Sequence, residues 1–136
     1  MSFSIDITPQ SIAASSTVNG AGVDMKGWDG VLFFLCLGVT DGTTDLSAQG
    51  DDSSAFSSPT DITDAVITQL TATDDGKGAI LDVWRPTERF VRSSVDIGAG
   101  AGADFECVIA VRYRATGRLP ITQHSTMLEL VKVAQN

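Results

Sequence analysis

Few side chains in this chain of 136 residues could do chemistry, and none stands at a spacing that chemistry requires. His124 is the single histidine, and a zinc site needs several convergent nitrogen and sulfur ligands; the scattered Cys36 and Cys107 match no metal motif. The glycine-rich stretch IGAGAGA leads into a strand pattern, not the helix that a phosphate-cradling loop opens. No nucleophile elbow is present, and no acid dyad stands in a recognisable context. The expectation is a protein that is not an enzyme and carries no cofactor and no metal. Asp41, Asp45, Asp51 and Asp52 offer the hard oxygen ligands that calcium takes, but their spacing departs from the regular calcium loop. Solvated turns are the preferred reading of these acids. Trp28 and Trp84 invite comparison with carbohydrate platforms, yet a tryptophan beside strand residues more often belongs to a core or a subunit contact. Cys36 and Cys107 read as two buried, inert thiols; a disulfide between them requires that their strands be neighbours.

Composition bounds what must position these groups. The chain is 43% hydrophobic and 19% charged, which fits one folded domain with a single core. No apolar stretch approaches the roughly 20 residues that span a bilayer, and the opening MSFSIDITPQ lacks the basic start and apolar core of a signal peptide. Synthesis and first folding in a cytoplasm are expected, with no membrane partner. The net charge of −8 makes nucleic acid a poor partner. Eleven aspartates precede Lys77 against one cation, Lys26, whereas six arginines follow it. The arginine-rich half either faces an acidic surface or neutralises its own acidic half, and the second reading is preferred.

Period-two patterning dominates. ADFECVIAVRYRA sets Cys107, Ile109, Val111 and Tyr113 opposite Arg112 and Arg114. RFVRSSVDIG sets Val91, Val95 and Ile97 opposite Arg92, Ser94 and Asp96, and FSIDIT sets Phe3, Ile5 and Ile7 opposite Ser4 and Asp6. VLFFLCLGV is apolar on both faces, as expected of a strand central to a packed sheet. The turn signals NGAG, WDG, TDGT, GDDSS and TDDGKG punctuate these runs, which predicts an all-β fold, an antiparallel β-sandwich or barrel. The expected core contains Phe33, Leu35, Val91, Val95, Ile109 and Val111. DITDAVITQL suits a brief helix or a strand equally.

The order TPQSI, TVNGAGVDMKGWDGVLFFLCLGVTDGTTDLSAQGDDSSAF and RPTERFVRSSVDIGAGAGADFECVIAVRYRA, from about Pro9 to Pro120, resembles the head decoration (cement) proteins of tailed phages. The matching features are a Gly-Trp-Asp turn, an apolar strand ending in TDGT, a plain strand ending in DD, and RFVRSSVDIG before an alternating strand. The resemblance implies a jelly-roll type of β-sandwich in residues 1–117. It also implies binding to the outside of a phage capsid, where the chain bridges subunits of the major capsid protein and stabilises the shell. A homodimer or homotrimer on the virion exterior is expected. The chain departs from the family pattern after Gly117, where residues 118–136 form an extended C-terminal segment. Its Arg118, Leu119, Pro120, Ile121, Met127, Leu128, Leu130 and Val131 are the expected capsid or subunit contacts, with the last strand of the chain's own sandwich as the equal alternative. Another virion structural role (tail or connector) and a carbohydrate-binding β-sandwich module are the alternative functions.

Overall fold

The computed structural model describes residues 1–100, 103–114 and 127–134. The alternating runs all become strands: β1 (Ser2–Ile7), β2 (Gln10–Ile12), β3 (Ser16–Asn19), β4 (Val23–Asp24), β5 (Gly30–Thr40), β6 (Thr44–Asp51), β7 (Thr60–Val66), β8 (Gly78–Trp84), β9 (Phe90–Ile97), β10 (Ala103–Tyr113) and β11 (Met127–Ala134). The ambiguous DITDAVITQL falls to strand, because Ile62 and Ala65 bury against the core while Asp64 takes φ 61° and kinks the chain. A 3-10 turn at Ala72–Asp74 precedes Gly76, whose φ of 70° suits glycine in TDDGKG.

Two sheets pack face to face. One runs β1-β10-β5-β8-β11 with β2 also on β10; the other runs β3-β9-β6-β7 with β4 also on β9. The chain changes sheet between β5 and β6, returns at β8, crosses again at β9 and returns at β10. That alternation is the jelly-roll arrangement of a β-sandwich, antiparallel throughout except at β11, which joins β8 in parallel. Met127–Ala134 of the C-terminal segment thus extends the chain's own sheet, and Val131 and Val133 pack on the core.

Phe33, Leu35, Leu81, Val83, Leu46, Val91, Val95 and Ile97 fill the space between the sheets with no exposed surface or almost none. Four of the six expected core residues are there. Ile109 and Val111 are not: β10 turns Val108 and Ala110 inward, and Ile109 and Val111 stand half-buried on the outer face. β1 is inverted in the same way, since Phe3 and Ile5 are 69% and 58% exposed. A register shift between Ile5 and Ile7 then brings both Asp6 and Ile7 into the interior. Alternation defines two faces of a strand, and the neighbouring strand decides which one is covered.

Asp6 is a buried carboxylate held by backbone donors. Gly22 N–H donates to one oxygen at 2.7 Å, and Ser93 donates its backbone N–H at 2.8 Å and its hydroxyl to the other. A Cβ at Gly20 would lie 2.0 Å from that carboxylate, so the NGAG turn closes around it only with glycine there. Asp6 therefore ties the first sheet to β9 of the second.

Candidate functional site: the outer face of the six-stranded sheet

The alternation that sends Val31, Phe33, Leu35 and Leu37 of β5 inward leaves Leu32, Phe34 and Cys36 on the opposite face. β10 adds Ile109 and Val111 beside them, β8 adds Ile80, and β1 adds the exposed Phe3 and Ile5. Cross-strand register aligns these residues in rows: Phe3 faces Val111, which faces Leu32, and Ile5 faces Ile109, which faces Phe34 and then Ile80. The second sheet covers the inner face alone, so among the described residues no strand covers this one. These four strands, about 4.8 Å apart and about six residues long, present roughly 400 Å² in plan. That is the size of the larger apolar patches on monomers, which are often functional.

One end of the face is closed by an aromatic pair. Gly30 lies between Tyr113 and Trp84 in the ladder, and the two rings stack above it with centroids 5.8 Å apart and planes at 22°. A Cβ on Gly30 would stand 2.4 Å from the Tyr113 ring, so the stack depends on the missing side chain. Tyr113 donates its hydroxyl hydrogen to Asp82 Oδ1 at 2.5 Å. Burial pushes the Tyr113 phenol far above its ordinary value, and the bond to Asp82 and the charges of Asp82 and Asp29 add to the shift. Asp82, only 2% exposed, is the one carboxylate among the described side chains of this face.

Arginines surround this end. Arg85 lies over Trp84 at 5.4 Å, and Arg112 and Arg114 lie over Trp28 at 5.2 and 5.4 Å. Arg112 and Arg114 donate to backbone carbonyls, of Asp24 at 2.8 Å and Gly27 at 2.7 Å. Arg89 pairs with Asp24 at 2.8 Å and Lys77 with Asp74 at 3.2 Å. Acidic and basic side chains meet at this end, where Lys26, Arg85 and Arg89 line a pocket of about 560 Å³ together with Asp29, Asp52, Glu88 and Trp28. Both tryptophans carry guanidinium groups over their rings, and Trp28 also packs on the core.

Of the contacts expected from the sequence, Arg118, Leu119, Pro120 and Ile121 lie outside the described residues. Met127, Leu128, Leu130 and Val131 lie in β11, at the sheet edge beside β8, with Val131 half-buried. Phe3 and Ile5 were missed because their alternation reads as a core face. The legible signal was VLFFLCLGV, whose two apolar faces need two covers. The turn acids hold loops: Asp51 accepts from Ser53 N–H at 2.9 Å and Ser58 N–H at 2.8 Å, which holds its carboxyl below the ordinary value, and Asp45 accepts from Gln69 at 2.8 Å. Among the described residues, no three His, Cys, Asp or Glu side chains converge as a metal site. No described helix is long and apolar enough to cross a membrane.

In fold, the chain is similar to PBSX exported protein XepA, a phage protein, with a TM-score of 0.64 at 14% identity over 91% of this chain. The match spans 41% of that protein, so this chain accounts for less than half of its length. No protein-family model matches the chain, and no curated protein matches it by sequence.

Proposed function

We propose that this chain is a non-enzymatic structural protein of a phage virion that binds the outside of the capsid and bridges major capsid protein subunits. The apolar outer face of the six-stranded sheet is its docking surface. The observation that carries the reading is the exposure of Phe3 and Ile5 at the margin of an apolar face whose one carboxylate among the described side chains, Asp82, is buried, on a molecule of net charge −8. Two further points support it: the resemblance of its strand and turn order to head decoration proteins, and a fold similar to that of a phage protein. The occupant is an apolar strip of the capsid protein. A face of about 400 Å² supplies about half of the roughly 800 Å² per partner of a standard interface, and the arginine-flanked rim adds to it. Covering Phe3 and Ile5 contributes about 1–2 kcal/mol each. A protein that binds the assembled shell and not its dissociated subunits stabilises the shell by linkage.

Co-sedimentation with expanded capsids of the encoding phage tests this. Wild-type protein is expected to pellet with the capsids, and Ile5→Asp to bind at least about ten-fold more weakly, the loss of one buried apolar contact and the burial of a charge. Unchanged binding by both Phe3→Asp and Ile5→Asp would remove the sheet face from the proposal. Failure of the wild-type protein to bind would remove capsid decoration itself.

A further inference from the structure

The two cysteines, 71 positions apart in sequence, are direct cross-strand partners: in the β10–β5 ladder, Cys107 stands opposite Cys36. Both are thiols and both are half-buried, not fully enclosed as the sequence leads one to expect. Directly opposed residues of an antiparallel pair project to the same face, with Cα atoms about 4.5–5.5 Å apart and Cβ atoms about 4.5–5.5 Å apart. A disulfide spans Cα separations of about 4.4–6.8 Å and Cβ separations of about 3.5–4.5 Å. Direct opposition in the ladder therefore satisfies the first condition, and a small closing movement satisfies the second. The register runs unbroken from Cys107 to Tyr113 against Cys36 to Gly30, and the pair stands at the end of that stretch, beside a register shift between Phe105 and Cys107.

We propose that Cys36 and Cys107 are a redox-active dithiol that closes to a cross-strand disulfide in oxidising surroundings. The inference stands apart from the capsid reading and rests on register alone. With a small-molecule disulfide such as oxidised glutathione as the oxidant, the thiolate of one cysteine attacks the glutathione S–S bond. This forms a mixed disulfide and releases one glutathione thiol. The second cysteine then attacks the protein sulfur of that mixed disulfide and releases the second glutathione. One protein S–S bond forms, one glutathione S–S bond breaks, and the two protein thiol protons leave on the two reduced glutathiones. A reducing cytoplasm keeps the pair open, whereas release into an oxidising medium closes it. Closure cross-links two central strands of the sheet and closes a long loop in the unfolded chain, which raises the melting temperature.

The test uses the whole chain, purified with reductant, then incubated folded with oxidised glutathione and read by intact mass, thiol titration and a denaturing gel without reductant. The expected result is a monomer that has lost two hydrogens, carries no reactive thiol and melts about 5–15 °C higher than the reduced form. In Cys107→Ser, the same treatment is expected to leave a glutathione adduct and no rise in melting temperature. The wild-type mass decides even if that variant fails to fold. Persistence of both thiols, accumulation of a doubly glutathionylated monomer, or a disulfide-linked dimer would each overturn the proposal.

Discussion

Tyr113 is the only tyrosine in the chain, so its ionisation can be followed without interference. Its phenol is raised first by burial and then by the bond to Asp82, and the protonated form is the one the fold retains. A group with a raised pKa contributes stability that is complete below its unfolded value, about 10 for tyrosine, and lost as the pH climbs through the folded value. Alkaline titration is therefore expected to show no phenolate absorbance at pH 10–11, and to show it only as the protein unfolds. A normal titration midpoint would contradict the buried bond. Asp24 works in the opposite sense. The side-chain bonds from Arg89 at 3.2 and 2.8 Å, and then the backbone N–H of Lys26 at 2.9 Å, hold its carboxyl at about 2. Asp51 and Asp74 are lowered too, in each case first by backbone hydrogen bonds. Depressed carboxylates contribute stability above their ordinary value near 4 and lose it as the pH falls through their folded values. The melting temperature is expected to drop between about pH 4 and pH 2, and Asp24→Asn to make that drop shallower.

At the scale of the element, the aromatic stack depends on β5 beginning with glycine. Gly30→Ala would place a methyl group 2.4 Å from the Tyr113 ring, which the ladder holds between its neighbours. The expected cost is about 2–3 kcal/mol, read as a lower denaturant midpoint at constant slope. A neutral substitution would show that the stack can move aside. β11 is the second element with a decidable role. Its parallel pairing with β8 and the packing of Val131 and Val133 make it part of the sheet, while the eight-stranded jelly roll is complete without it. Removal of residues 127–136 is expected to leave a β-rich, folded protein that is about 2–4 kcal/mol less stable in denaturant titration. Full stability combined with lost capsid binding would instead assign β11 to docking.

For the whole molecule, an apolar sheet face that no described strand covers has a consequence in solution. Away from a capsid, that face meets only other copies of itself. Concentration-dependent self-association to dimers or trimers is expected in analytical ultracentrifugation, and Ile5→Asp is expected to abolish it without lowering the melting temperature, since Ile5 is 58% exposed in the single chain. A strictly monomeric wild type at high concentration would count against a sticky face. This expectation and the capsid experiment use the same variant, so the two can be compared directly.

The amino-acid order alone determined the all-β class, the strand sites and most of the turns, because period-two alternation and glycine–aspartate punctuation are local properties of the backbone. It also placed Val91, Val95 and Ile97 correctly on one face of β9, where the opposite positions carry Arg92 and Asp96 and only one face can be buried. In β1 and β10 the same rule chose the wrong face, since apolar residues line a side that no described strand covers. Alternation is unchanged when a strand is turned over, so it cannot say which side meets the second sheet. The burial of Asp6, the stack over Gly30 and the meeting of Cys36 with Cys107 were beyond the sequence for a related reason. Each is set by register between strands far apart in the chain, and only the closed sandwich decides that register.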